Sequence, residues 1–424
     1  MKTLIHFLLI ILLLANVSKC LGQTAEVFPQ EKQEILRHIF QKYEVLGGSV
    51  ASFSEHNLHS FSFGYAFPDS IAFSDSTFLR IASISKMFTG MIAMQLCEEG
   101  KLTLDDDIKK FLDFPLYNSA YPHVPITIAM LLNHTSTLKD SKIIVDYAMK
   151  TIFKDSSLQM QSIQPLKHIF TKGNYHFLPA RSTIRKGETI TIKPGKYFHY
   201  TNLNFVILAH IIETIEQKPF YQSVRERLLQ RYSVDGGFIV QDLPKDAVLS
   251  PQYVWRNQTW HPEADYYTKH YDSVFTSIQH YTPGLNVLRF SPQAGLRINS
   301  IGLASYFRQW LLDSSMQALR TKMLTSSWKE KLNNNAGQFD NLFKGWGLAC
   351  HIISTKQEPF IKDFPWIGHI GRANGAYTIV YMSPLHKKGI IILINGMKYQ
   401  PKGDFGFSDL EIEIMNTILH ESKR

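Results

Sequence analysis

The segment Ile81-Ala82-Ser83-Ile84-Ser85-Lys86-Met87-Phe88 joins a short polar pattern to a long apolar one. It places a Ser-x-x-Lys pair, Ser83 and Lys86, at the start of an apolar run that extends to Cys97. Residues three apart on a helix share a face, so an ammonium can lie beside a hydroxyl. Such a lysine accepts the hydroxyl proton if burial lowers its pKa, or stabilises an anion if it stays charged. A serine in a first helical turn also lies near unpaired backbone N–H groups that can face an oxyanion. Ser-x-x-Lys alone has little specificity, because Ser136…Lys139 and Ser326…Lys329 repeat it.

Around this stretch the chain reads as alternating helices and strands. Apolar residues cover most of the circumference of the Ser83 helix, which predicts a central, buried element ended by Glu98-Glu99-Gly100. Upstream, an amphipathic helix is expected over Gln30 to Tyr43, ended by Gly47-Gly48, then strands over Ser49–Phe53 and Phe61–Phe67. Asp105-Asp106-Asp107 reads as an acidic helix start rather than a metal site, since adjacent residues do not share a face. Ile126 to Ser136, Asn204 to Glu216, Lys218 to Tyr232 and Gly302 to Leu312 read as helices. Gly345-Trp346-Gly347-Leu348 opens a strand, and Ala376–Met382 with Gly389–Asn395 reads as an antiparallel hairpin. The last helix starts at Ser408, with Glu411 completing a capping box. Strands near both termini with helices between them predict an antiparallel sheet built from the two chain ends. Helices flank it in this α/β (α+β) arrangement, and a mainly helical insertion spans about 115–285.

The first 22 residues read as a signal peptide: Met1-Lys2, an apolar Leu4–Ala15 broken by His6, then small and polar residues. Residues 26–424 are expected to form one catalytic domain, exported as a periplasmic or secreted protein, with an envelope-associated form the other expectation. Cys20 could carry a lipid anchor, but Lys19 stands where a small residue is expected, so cleavage is preferred. No later stretch is long and apolar enough to predict a transmembrane span in the mature chain. The chain carries 3 cysteines; Cys97 and Cys350 are expected as buried thiols, although export would permit a bridge. The formal charge of +9 drops by two, to +7, if Lys2 and Lys19 leave with the leader. The excess is scattered, which argues against nucleic acid as a partner.

The motifs acquire meaning from their order. Arg80 to Lys86 is followed by Gly100-Lys101-Leu102, Leu104-Asp105-Asp106, Ile126-Thr127-Ile128 and Leu131-Leu132-Asn133-His134-Thr135-Ser136. Pro194-Gly195, Tyr200-Thr201-Asn202, Gly295-Leu296 and His369-Ile370-Gly371 come after them. The ordered set resembles the serine beta-lactamase-like hydrolases, and within them the branch of class C beta-lactamases, DD-peptidases and related esterases. That resemblance implies a beta-lactamase/transpeptidase-like fold and an acyl-enzyme mechanism without metal or organic cofactor. It implies Ser83 as nucleophile and Lys86, one turn on, as helping to remove its proton, with the choice of general base between Lys86 and Tyr200 left open. Tyr200 is implied as general base or proton shuttle, Asn202 as a partner of Lys86 and substrate, and His369 as the residue closing the pocket from an edge strand. The backbone N–H groups of Ser83 and Arg372 are implied as the oxyanion hole, with Gly371 and Arg372 contacting substrate.

The residues keep other readings open. Asn202 could cap the following helix, and the Tyr/Trp-rich Phe238–Tyr281 could be either a cleft lining or packed irregular chain. Thr137 stands where the family usually has glycine, and Ile370 lacks a hydroxyl often used on a substrate carboxylate; Arg372 is a candidate replacement. Asp140–Arg185 and Phe238–Tyr281 match no motif. The expected substrate is a small ester, an amide or a D-amino-acid peptide, including one derived from peptidoglycan. A beta-lactamase, a DD-peptidase and a non-catalytic penicillin- or peptidoglycan-binding protein are the alternatives.

Overall fold

The computed structural model describes residues 25–142, 144–146, 165–170, 176–183, 187, 189–266, 281–330, 342–353, 365–398 and 406–419. The leader, Cys20 and parts of the two motif-free segments lie outside them. A ten-stranded sheet runs in the order Glu26–Val27, Leu58–Phe67, Val45–Phe53, Lys388–Met397, Ala376–Ser383, Trp366–Ala373, His351–Ile353, Gly345–Trp346 and Trp328–Lys329; Ile71–Ala72 pairs off this path with Leu58–Phe67. The chain ends meet where Lys388–Met397 pairs antiparallel with Val45–Phe53, Ile392 opposite Val50. Among the described residues of this sheet, only the short Glu26–Val27 pairing is parallel.

Both faces of the sheet are covered, so its central strand reads as a continuous apolar run. Ile391 and Leu393 pack with the helices Ser85–Glu98, Leu203–Glu216 and Ser300–Leu312. Ile390, Ile392 and Ile394 point the other way, against the helices Gln30–Lys42 and Asp409–Leu419. This period-two division places the Ser83 helix in the middle of the first layer, and every residue from Ser85 to Leu96 is buried. The capping box closes the last helix: Ser408 N–H donates to Glu411 Oε2 (2.7 Å) and Glu411 N–H to Ser408 Oγ (3.3 Å). Cys97 and Cys350 are free thiols. No helix among the described residues is long and apolar enough to cross a membrane.

Several expected boundaries move for physical reasons. Gly47-Gly48 does not end the first helix. That helix stops at Lys42, Glu44 takes the left-handed conformation (φ 49°), and both glycines lie inside the Val45–Phe53 strand. A Cβ at Gly47 would sit 2.2 Å from Tyr65 O, so close strand approach, not a turn, demands glycine. The helix expected over 126–136 is one turn, Ile128–Leu132, capped by Thr127. The acidic run starts only a 3-10 turn, Ile108–Lys110, with Asp107 as its cap. The helix expected over 218–232 is a composite of Phe220–Val224, a π turn Arg225–Leu229 and a 3-10 turn Gln230–Tyr232.

Part of the Tyr/Trp-rich segment is an ordered hairpin, Gln252–Arg256 with Thr259–Ala264. It turns at Asn257 (φ 50°) and Gln258 (φ 61°). At the end of this hairpin, Asp265 is buried between two guanidiniums. Arg80 donates to it through Nε (3.0 Å) and Nη2 (2.5 Å), and Arg297 through Nε (3.0 Å) and Nη2 (2.6 Å). Arg80 and Arg297 are also cross-strand partners, so this triad fixes the chain just before Ser83.

Candidate active site

Ser83 lies in a 3-10 turn, Ala82–Ile84, that runs directly into the helix Ser85–Glu98. Ala82 adopts φ 48°, a conformation unfavourable for a residue with a Cβ, so the turn is held by its surroundings. Thr378 Oγ1 donates to Ile81 O (2.9 Å), and Ser85 Oγ to Ala82 O (2.7 Å). Ser85 Oγ also accepts from Leu296 N–H (3.1 Å), which ties the Gly295-Leu296 segment to the turn. Gly371, opposite Thr378 in the sheet, lies under the turn; a Cβ there would meet Thr378 Oγ1 at 2.2 Å and Ile81 O at 2.6 Å.

Lys86 is wholly buried one turn beyond a partly exposed Ser83. Its Nζ lies 2.9 Å from Ser83 Oγ, 2.8 Å from Asn202 Oδ1 and 2.9 Å from the Gln293 carbonyl. Burial pushes its pKa down to about 7, with the charge of Asp140 acting in the opposite direction. The three partners suit both protonation states. An ammonium donates to all three; a neutral amine gives its two N–H groups to the two carbonyls, which only accept. The lone pair then faces Ser83, whose hydroxyl can donate.

Tyr200 hydrogen-bonds to Ser83, and the Lys86 ammonium sits 5.0 Å from the centre of its ring. Burial raises the tyrosine pKa above its ordinary value and the Ser83 hydrogen bond only partly offsets this, so Tyr200 is a phenol at neutral pH. Its ring is enclosed by His134 (centroids 4.4 Å), Phe343 (5.4 Å), Trp346 (5.8 Å) and His369 (5.9 Å). His369 is buried, and its Nδ1 hydrogen-bonds to the Ile370 carbonyl. Burial, reinforced by the Lys86 charge, holds the imidazole pKa well below its usual value. The His369 strand, Trp366–Ala373, pairs on one side with Ala376–Ser383 from Ile367 to Ala373; on the other side His351–Ile353 reaches only to Gly368, so among the described residues that side is an open edge from His369 onward.

The structure therefore brings Ser83, Lys86, Tyr200 and Asn202 together, with His369 against Tyr200. Asn202 makes no capping bond to the helix it precedes. Asp140 does so instead: it accepts from Leu203 N–H (2.9 Å), Asn202 N–H (3.0 Å), Asn202 Nδ2 (2.9 Å) and Thr201 Oγ1 (2.6 Å). The Arg372 side chain turns to Glu411 Oε2 (2.7 Å) and the Gly406 carbonyl (3.1 Å), which draws it into the C-terminal helix contact. Thr137, at the family's glycine position, has the left-handed φ of 65° that glycine would adopt freely; Asn118 Nδ2 supports it by donating to Thr137 Oγ1 (2.9 Å). The second Ser-x-x-Lys hit is structural at its serine, which donates to Asn204 Oδ1 (2.6 Å).

Sequence reasoning missed Asp140 and the Gln293 carbonyl. Asp140 is 62 residues from Asn202 and Gln293 is 207 from Lys86, and no periodicity links such positions. The one available signal for Asp140 was its place just beyond His134-Thr135-Ser136.

The chain is similar to known proteins over most of its length. The Beta-lactamase family model matches residues 33–407. "Protein flp" of Staphylococcus aureus (strain MW2) is 22% identical over 405 residues, spanning 93% of this chain and 67% of that protein. A teichoic acid D-alanine hydrolase of Staphylococcus aureus is 27% identical over 215 residues, 46% of this chain and 50% of that protein. Among solved structures, an octameric penicillin-binding protein homologue from Pyrococcus abyssi superposes with a TM-score of 0.67 at 21% identity, covering 92% of this chain and 76% of that one. D-amino acid amidase from Ochrobactrum anthropi SV3, complexed with D-phenylalanine, gives 0.62 at 18% identity, covering 92% and 98%. The match over 33–407 and the mixed sheet-and-helix architecture lead to one conclusion: this chain belongs to the Beta-lactamase family of hydrolases.

Proposed function

We propose that the protein is an exported serine hydrolase that cleaves a D-amino-acid ester or amide through a Ser83 acyl-enzyme. The observation that carries this reading is the buried Lys86 amine, 2.9 Å from Ser83 Oγ, with a pKa brought to about 7. In the proposed reaction Ser83 Oγ attacks the carbonyl carbon while its proton passes to neutral Lys86. The oxyanion so formed is met by the backbone N–H groups of Ser83 and Arg372. As the tetrahedral intermediate collapses, the bond to the leaving nitrogen or oxygen breaks. The proton returns from Lys86, with the Tyr200 phenol as shuttle, to the departing amine or alcohol. Water then attacks the Ser83 ester by the same route in reverse and releases the acid. Lys86 is the proposed base rather than Tyr200, because burial keeps the phenol protonated.

The D-amino-acid class is supported by the similarity to a teichoic acid D-alanine hydrolase and to a D-amino acid amidase. Efficient beta-lactam turnover is a weaker reading. Ile370 offers no hydroxyl for the substrate carboxylate, and the Arg372 guanidinium is engaged by Glu411. The test is hydrolysis of D- and L-alanyl p-nitroanilides and methyl esters by wild type and Ser83→Ala. The proposal expects turnover of the D substrates that disappears in the variant. Equal D and L rates would remove the stereochemical part, and turnover surviving Ser83→Ala would remove the mechanism.

A further inference from the structure

We propose that Asp140 is a positioning residue of the catalytic centre, holding Asn202 in the one amide orientation that gives Lys86 an acceptor. The inference rests on the Ser83–Lys86 reading above and adds to it a group that none of the sequence motifs contains.

The geometry is two-sided. Asn202 Oδ1 faces Lys86 Nζ at 2.8 Å and its Nδ2 faces Asp140 Oδ2 at 2.9 Å. Turning the amide over would set an N–H donor against a lysine that needs an acceptor and a carbonyl oxygen against a carboxylate. Asp140 thus selects the orientation without touching Lys86 or Ser83. Its own position is fixed by the start of the helix Leu203–Glu216, where Thr201 Oγ1 and the N–H groups of Asn202 and Leu203 all donate to it. A carboxylate is suited to that place, because helix N-termini carry unpaired N–H groups and a positive dipole end. Helix start, amide orientation and lysine partner are therefore one connected unit, with Asp140 at the end remote from Ser83.

Charge reinforces the geometry. The carboxylate raises the Lys86 pKa against burial, which lowers it. The other ionisable groups acting on these residues are Tyr200, His134 and His369 around Lys86, and Lys139 and His199 near Asp140. His134 and His369 are held neutral by burial, so Asp140 is the anion set against Lys86. Removing its charge must lower the lysine pKa further. A simple helix cap would change stability and leave that pKa where it was.

The experiment measures the fluorophosphonate labelling rate of Ser83 from pH 5 to 10 in wild type, Asp140→Asn, Asp140→Glu and Ser408→Ala, together with thermal melts. Ser408→Ala removes a helix cap on the far side of the sheet and serves as the stability control. The proposal expects Asp140→Asn to label at least tenfold more slowly at its optimum, and its rate profile to shift to lower pH by half a unit or more. Asp140→Glu, which keeps the charge, should retain the wild-type midpoint. Asp140→Asn within twofold of wild type with an unshifted profile overturns the inference. So does a slower rate with an unmoved midpoint that Ser408→Ala reproduces at a similar loss of melting temperature. Wild type that is not labelled at Ser83 overturns the functional reading itself, a result distinct from either.

Discussion

Asp265→Asn removes one negative charge from a site where two positive charges are buried. The side chains of Arg80 and Arg297 are each 6% exposed and that of Asp265 is fully enclosed, so water cannot take over when the carboxylate is lost. Breaking a buried ion pair by deleting one partner costs roughly 3–5 kcal/mol, because the remaining charge is uncompensated. Here two guanidiniums remain, so the upper part of that range applies. Against a total stability of about 5–15 kcal/mol this is a large share. At about 2 °C per kcal/mol for a domain of this size, the melting temperature should fall by roughly 8–10 °C. Burial opposes ionisation of Asp265, but the paired guanidiniums win and hold its carboxyl below the usual range. A depressed folded-state pKa means that the stabilisation is complete above the unfolded value, near 3.9, and is lost as pH falls through the folded one. The wild-type advantage should therefore be constant from pH 5 to 8 and narrow only in strong acid. It should also survive 0.5 M salt, which screens exposed charges far more than buried ones. Circular dichroism melts and urea titrations at pH 5, 6.5 and 8 measure all of this. A loss under 2 °C, or one that salt abolishes, would refute the view that this triad is a buried clamp before the Ser83 turn.

Three further outcomes follow from the geometry. Ser83 labelling should rise with pH through a midpoint near 7, because neutral Lys86 is the acting base, and Lys86→Arg should abolish it; a midpoint near 10 would assign the role elsewhere. Gly371→Ala should reduce kcat/KM by tenfold or more with a folded protein, since the added Cβ would lie 2.6 Å from Ile81 O and displace the Ser83 turn; unchanged kinetics would show that the strand and turn part freely. Glu213, buried beneath Phe220 N–H (2.7 Å), Tyr281 Oη (2.6 Å) and Gly284 N–H (2.8 Å), has a pKa raised to about 7 by burial. An acid whose folded pKa is raised loses stabilisation as pH climbs from its unfolded value to the folded one. Urea midpoints should therefore favour wild type over Glu213→Gln more at pH 5 than at pH 8, and a gap that widens with pH would contradict this.

What could be read in the sequence was whatever repeats locally. The all-round apolar pattern of Ser85 to Leu96 gave a buried helix, and the beta-branched runs after Ala376 and Gly389 gave the central hairpin, because burial writes itself into periods of 3.6 and 2. The ordered motifs gave the family, and the family model over 33–407 agrees. What stayed hidden depends on contacts distant in the chain. Gly47-Gly48 looked like a helix stop because a close approach to Tyr65 leaves no local trace. The Gln252–Ala264 hairpin was masked by an Asn257-Gln258 turn in which glutamine, rather than glycine, takes a positive φ. Arg372 looked available for substrate because Glu411, its partner in the structure, lies 39 residues away. Asp140 and Asp265 were two ordinary acidic residues until the fold set one on Asn202 and the other between Arg80 and Arg297.

Ser83 is proposed to be a nucleophile activated by Lys86. Intact-protein mass spectrometry after exposure to a fluorophosphonate and, separately, to a penicillin tests it most directly, with wild type, Ser83→Ala and Lys86→Arg compared as folded proteins. Wild type should take up a single phosphonyl adduct, mapped to Ser83, that is absent from both variants. A persistent penicillin adduct would add the DD-peptidase side of the family to the proposed esterase and amidase chemistry. A folded wild-type protein that takes up neither reagent, or an adduct that survives Ser83→Ala, would rule out Ser83 as the activated nucleophile.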